Sequence, residues 1–222
     1  MISIPESYIN GLKIIPENTP VAIVMRHAER FDIKRGEVGL DVSLTEDGEK
    51  SAFKLGSDHL KGKISNVYSS YIQRCIDTGE NILKGAENTN IKIEPMAILA
   101  GDEIFINDFQ KMAEFYMTNG MLTLLDLAYD RKEIVGLNNV EASVYSFINV
   151  ILEKIENQNG ISLFITHDMF ISLIAGEIFR HKTTGENWPD FMEPIFIWKD
   201  GSDIKLFFRN YFKVISNSCL NI

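Results

Sequence analysis

Arg26 and His27 close an unbroken apolar run, Val21 to Met25, and Glu29 and Arg30 follow at once in "VAIVMRHAER". A second pair, His167 and Asp168, closes another apolar run, "ISLFIT". Arg74 stands shortly after "YSS". Guanidinium groups offer planar donor forks that match phosphate oxygens. A neutral imidazole beside a bound phosphate can attack phosphorus and form a covalent intermediate. A carboxylic acid is then needed to protonate the departing alkoxide, and Asp168 is the nearest candidate in sequence. Two histidines and an aspartate also suggest a metal site. The fixed cation of Arg26 beside His27 disfavours a second cation, and no dense ligand spacing of the HExxH or paired CxxC kind is present.

These side chains act together only if the elements carrying them meet. Val21–Met25 and 161–166 are continuously apolar, as strands buried on both faces are. "LTEDGEKSAFKLGSDHL" reads as a helix capped by Thr45, with Glu46 and Asp47 at its positive end. Residues 65–69 read as a short strand. Ser70 and Gln73 have capping-box spacing, which predicts a helix from about Tyr71 to Leu83 and puts Arg74 in its first turn. A short strand is expected near Ile91 to Glu94. Residues 102–133 have helical composition, broken near Asn119-Gly120. Val140, Val144, Ile148, Ile151 and Ile155 form a helical stripe. A further helix follows His167, and Asp168 also suits its start as a cap. "IFIWKDGSDIKLFFRN" predicts a hairpin turning at Asp200 to Asp203. Residues 1–19, punctuated by Pro5, Pro16 and Pro20, read as a loosely structured lead-in.

Strands alternating with helices predict an α/β fold of three α/β/α layers: a mainly parallel sheet with helices on both faces. The expected organisation is a single domain over 1–222 with a small helical insertion at about 102–136. Such folds bind ligands at the carboxyl ends of their strands. Parallel strands would bring Arg26, His27, His167 and Asp168 to one rim.

The composition fits this reading: 222 residues, 45% hydrophobic, with a net charge of -9. That length can bury a core without staples. An acidic balance argues against nonspecific nucleic-acid binding, which needs a basic face, and makes a local arginine cluster more informative. Cys75 and Cys219 form no disulfide framework and read as thiols of a reducing compartment. The first twenty residues lack the pattern of a signal peptide and no run reaches the length of a membrane span, so the expected location is the cytoplasm, with no membrane partner.

"RHAER", "SSYIQR" and "ITHD", in this order, resemble the motifs of the histidine phosphatase superfamily, also called phosphoglycerate-mutase-like. "SLTEDG" is similar to that family's LTxxG segment. The resemblance runs from about Val21 to Asp168 and implies the following roles. His27 accepts the phosphoryl group. Arg26, Arg74 and His167 bind its oxygens. Arg30 matches the second arginine of the RHxxR form seen in the acid-phosphatase and phytase branch, and Asp168 matches that branch's HD proton donor. The mutase-like branch uses a mid-chain glutamate instead, for which Glu103 is the reserve candidate. Two positions depart from the pattern: Ala28 replaces the glycine usual after RH, and Asp32 stands where the acid-phosphatase branch has proline. The implied activity is hydrolysis of a phosphomonoester, metal-independent and without a cofactor, on a small phosphorylated substrate or a phosphoprotein. The alternatives are a phosphomutase on the same site and a non-catalytic binding module for phospho-ligands. His59 and His181 are expected at the surface, Cys75 in packing, and Glu29 in solvent.

Overall fold

β1 (Val21–Arg26) is buried at all six positions, and the rest of the fold is built around it. The computed structural model describes residues 4–34 and 36–217. Around β1 the chain adds α1 (Glu6–Ile14), α2 (Glu46–Leu55), β2 (Ile64–Ser69), α3 (Gln73–Gly85), β3 (Ile93–Pro95), α4 (Phe109–Asn119), α5 (Met121–Tyr129), α6 (Val140–Ile155), β4 (Ile161–Thr166), α7 (Asp168–Phe179), β5 (Pro194–Asp200), β6 (Asp203–Phe208) and β7 (Tyr211–Ser216). The strands form one sheet in the order β3-β2-β4-β1-β5-β6-β7.

Alternation along the central strands defines the layers. Ala22 and Val24 face a core shared with α4, α5, α6 and α7. Val21, Ile23 and Met25 face the opposite core, shared with α1, α2 and α3. Burying each of the valine, isoleucine and methionine side chains contributes about 1.5–3 kcal/mol, so a strand with two apolar faces is held from both sides and cannot slip register cheaply. β1 pairs in parallel with β4, and Arg26 lies opposite Thr166. β2 pairs in parallel with β4 on its other side, with Ser69 opposite Ile165. Three chain segments therefore leave the sheet at the same level.

The expected elements form, with corrections. The sheet is mixed: β1 to β4 are parallel, whereas β5, β6 and β7 run antiparallel as a meander. Their two-residue turns are too short for a parallel crossover. β5 and β6 are the expected hairpin; β7 was not anticipated. Residues 1–19 are not merely a lead-in, because α1 forms and buries Tyr8 completely. The prolines that suggested a lead-in, Pro5 and Pro16, flank that helix rather than interrupt it, and Gly11 lies within it. Glycine is needed at position 11 because a Cβ on Gly11 would meet the Phe196 ring at 2.0 Å. α3 starts at Gln73, and Ser70 does not cap it. The break in the 102–133 segment falls at Gly120, whose φ of 82° separates α4 from α5. His181 is half-buried, packed on Phe208 and Tyr211 and paired with Arg209 at 3.2 Å, rather than on the surface. Cys219 lies outside the described residues. No helix among the described residues is long and apolar enough to cross a membrane.

Candidate active site

Where β1 ends, the His27 N–H donates to the Thr166 carbonyl at 2.9 Å, so the first residue past β1 is still clamped to β4. The His27 ring is 1% exposed. Its Nδ1 lies 2.7 Å from the Ala28 carbonyl oxygen. A carbonyl can only accept, so Nδ1 carries the proton and Nε2 keeps its lone pair. Burial, then His167, Arg26 and Arg74, push the imidazole pKa well below its ordinary value, against a smaller opposing pull from the Ala28 carbonyl. The ring is thus neutral, with its lone pair on Nε2. Ala28 is fully buried, and among the described residues it is not one with positive φ, so alanine substitutes for glycine here without backbone strain. Its N–H donates to Thr78 Oγ1 at 3.0 Å, and that hydroxyl donates to the Arg74 carbonyl at 2.7 Å.

β4 delivers His167, whose ring centroid is 5.6 Å from that of His27. Arg74 Nη2 donates to His167 Nδ1 at 3.2 Å. A guanidinium cannot accept, so Nε2 of His167 carries the proton and donates to Ser70 Oγ at 2.9 Å. Burial, followed by Arg74, lowers the His167 pKa to about 3. Arg74 is also anchored through Nη1 to the Gly39 carbonyl at 2.7 Å. Ser70 was assigned to a helix cap in sequence and instead orients the second histidine. Cys75 packs against His167, with its Sγ 3.7 Å from Nε2. Burial pushes the thiol up to about 12, so it is packing and not chemistry.

Asp168 opens α7 and accepts from the Met169 N–H at 2.9 Å, as a residue at a helix start can. Its Oδ2 accepts from Arg26 Nη2 at 2.9 Å and from the Trp188 indole N–H at 3.2 Å. Burial works against this carboxylate, but Arg26, His167, the Trp188 hydrogen bond and Arg30 together hold its pKa below the usual range. Arg26 is further fixed by the Pro189 carbonyl at 2.6 Å and by stacking 3.9 Å from the Phe191 ring centroid.

His27, Arg30, Arg74, His167 and Asp168 line one cleft of about 190 Å³ at the carboxyl rim of the parallel strands. Arg26 and Glu103 do not contribute to its wall. Arg26 meets the site through its ion pair with Asp168. Glu103 is exposed in a turn at φ 68°. Its neighbour Asp102 lines the cleft instead, accepting from the Tyr71 hydroxyl at 2.7 Å, and that bond is the main cause pushing the Tyr71 pKa up to about 12. Asp102 and Trp188 carried no sequence signal of their own beyond the adjacency of Asp102 to Glu103, and Tyr71 lies inside the SSYIQR segment but is not marked by it as a cleft residue. Glu29 does not point to solvent. It accepts from the Thr45 hydroxyl at 2.9 Å, while its carbonyl accepts from the Thr45 N–H at 3.0 Å. Thr45 in turn accepts from the Gly48 N–H at 3.0 Å and caps α2, a contribution of about 1 kcal/mol. The start of α2 is thereby tied to the strand end that carries His27.

The chain matches the histidine phosphatase superfamily (branch 1) over residues 22–191. It is similar in fold to phosphoglycerate mutase from Bacillus anthracis, with 18% identity, a TM-score of 0.57, and coverage of 92% of this chain and 96% of that one. A mycobacterial glucosyl-3-phosphoglycerate phosphatase is similar at 15% identity and a TM-score of 0.56, covering 86% of this chain and 99% of that one. Phosphoserine phosphatase from Entamoeba histolytica is similar at 15% identity and a TM-score of 0.53, covering 80% of this chain and 89% of that one. No curated protein sequence matches the chain.

Proposed function

Because the chain belongs to the histidine phosphatase superfamily, we propose that it is a phosphomonoester hydrolase working through a phosphohistidine on His27. The observation that carries this reading is a neutral His27 with a free Nε2 lone pair on the same cleft as Arg30, Arg74, His167 and Asp168. A second feature supports it. The Nε donors of Arg26 and Arg74 are both buried without a hydrogen-bond partner among the described residues. Buried donors are nearly always paired, and phosphoryl oxygens would satisfy them.

In this mechanism the phosphoryl group binds to Arg30 and Arg74, and each charge-assisted bond contributes about 1.5–3 kcal/mol. The His167 N–H turns from Ser70 to a phosphoryl oxygen. The arriving dianion competes with Asp168 for Arg26. Losing its counterion beside new negative charge raises the Asp168 pKa, so the carboxylate takes up a proton as substrate binds. His27 Nε2 attacks phosphorus in line. The P–O bond breaks, its electron pair stays on the leaving oxygen, and Asp168 protonates that oxygen. Asp168, again a carboxylate, then takes a proton from water, which attacks phosphorus and releases phosphate and neutral His27. Positioning and preorganised charge do most of the work.

The test is hydrolysis of an aryl phosphate in the presence of chelator by wild type and His27→Ala, with label from radioactive substrate trapped by an alkaline denaturing quench, in which a phosphohistidine survives. The expected result is labelled wild-type protein and a variant with neither label nor turnover. Equal rates would sink the nucleophile assignment. With a sugar phosphate as substrate, an isomeric phospho-product in place of free phosphate would make the enzyme a mutase, and tight phosphate binding without turnover of either ester would make it a binding module.

A further inference from the structure

The cleft changes character away from the phosphate end. Among the described residues its cationic side chains, Arg30 and Arg74, belong to that end, and no lysine lines it. The other charged lining groups are the carboxylates Asp102 and Asp168. The far wall comes from α4 and α5: Phe109, Met112, Tyr116 and Met121. The segment after β1 faces it with Ile33, Val38 and Leu40. Phe109 and Leu40 are 44% and 47% exposed, so apolar surface stands open on both sides of the same cleft. Exposed apolar area is unfavourable in water and is relieved by an apolar ligand. Methionine side chains adapt to ligands of varied shape.

We infer that the substrate is the monophosphate ester of an apolar alcohol or phenol, bearing one phosphoryl group and no second anionic group. This rests on the hydrolase reading above. Two physical features select against other phosphates. A second phosphate or a carboxylate on the leaving group would meet Asp102, and beyond the phosphate end no cationic side chain among the described residues lines the cleft to offset it. A polyol would place hydroxyls against Phe109, Met112 and Met121, which offer few hydrogen bonds, and would lose its hydration there.

The experiment compares kcat/KM for hexyl phosphate, glycerol 3-phosphate and 3-phosphoglycerate. All three leave as alkoxides, so the leaving-group chemistry is nearly matched. Each buried methylene is worth about fourfold, so hexyl phosphate is expected to exceed glycerol 3-phosphate by about 50-fold with three methylenes buried. 3-Phosphoglycerate is expected to be the slowest, and Asp102→Asn to narrow its deficit. Phe109→Ser changes an exposed position and should fold; it is expected to reduce the hexyl-to-glycerol ratio by about tenfold. Comparable kcat/KM for the three esters overturns the substrate class while leaving the hydrolase reading intact. A hexyl preference that Phe109→Ser does not alter overturns the assignment of this wall. No phosphate release from any ester, including an aryl phosphate, overturns the hydrolase reading and the substrate class with it.

Discussion

Arg26 Nη2 and Asp168 Oδ2 lie 2.9 Å apart, joining the last residue of β1 to the first residue of α7. The carboxyl group expected to give a proton is therefore held as a carboxylate before substrate arrives. A general acid must be protonated when the leaving group departs. The pair resolves this if the phosphoryl dianion displaces one partner from the other, so that proton uptake accompanies binding. Asp168 then works as an acid only on a cleft already filled, which spares the free enzyme an unpaired buried charge.

Asp168→Asn should separate leaving groups. Loss of a general acid is expected to cost about 10²–10³-fold in kcat for an alkyl phosphate and little for an aryl phosphate, whose phenolate needs no proton. Arg26 loses its counterion, which is expected to cost about 1–3 kcal/mol in a denaturant titration, less than for a fully buried pair because the Asp168 side chain is 18% exposed. Product phosphate should bind more tightly, since a competing carboxylate is gone. If Asp102→Asn shows the leaving-group pattern and Asp168→Asn does not, the acid is the Tyr71-bonded aspartate.

Stability should fall with acid well before the carboxylates titrate. His27 and His167 both have pKa values in the folded state far below their unfolded value near 6.5. Below that pH the unfolded chain binds more protons than the folded one, so stability present above about pH 6.5 is lost as pH falls, by up to about 1.4 kcal/mol per pH unit for each histidine. Asp168, whose pKa is depressed, loses its contribution only below its unfolded value of about 3.9 and stays out of this window. Denaturation midpoints at pH 7.5, 6.0 and 5.0 measure the slope; a flat profile would mean that the two imidazoles are not buried neutral.

Gly48→Ala should damage the site from a distance. A Cβ on Gly48 would lie 2.1 Å from the Glu29 carbonyl oxygen, which is backbone and cannot swing aside. We expect a loss of about 2–3 kcal/mol by thermal or chemical unfolding. Because Glu29 and Arg30 move together, KM should rise more than kcat falls. Wild-type stability in this variant would show that the two segments are not in contact.

Thr78→Val should loosen the link between His27 and Arg74. It leaves the buried Ala28 N–H without an acceptor, a cost of about 1–3 kcal/mol. A shift of the loop by a fraction of an ångström is expected to lower kcat by about tenfold. Thr78→Ser keeps the hydroxyl and should restore the rate; a serine variant as slow as valine would assign the effect to packing alone.

Much of the site was legible because chemistry-bearing residues sit at the ends of apolar runs. Val21–Met25 and 161–166 must be buried strands, so whatever follows them must emerge on a rim, and Arg26, His27, His167 and Asp168 do follow them. Arg74 was placed by its distance from a strand end even though its helix starts later than the capping pattern implied. Side-chain partners were not legible in this way. Ser70 could cap a helix or orient a histidine, and only the arrival of β4 beside β2 selects the second. Glu103 and Asp102 are adjacent carboxylates that composition cannot rank; the backbone turn at φ 68° sends the first to solvent and leaves the second on the cleft.

The sequence by itself determined the layers of the fold and the set of groups at the rim, because burial of continuous apolar strands is a local demand that few arrangements satisfy. The tertiary structure alone decided which nitrogen of each histidine is free, that Arg26 is shared with Asp168, and that the far wall of the cleft is apolar. Those properties depend on hydrogen bonds and contacts between segments distant in the chain, whose distances no local pattern encodes.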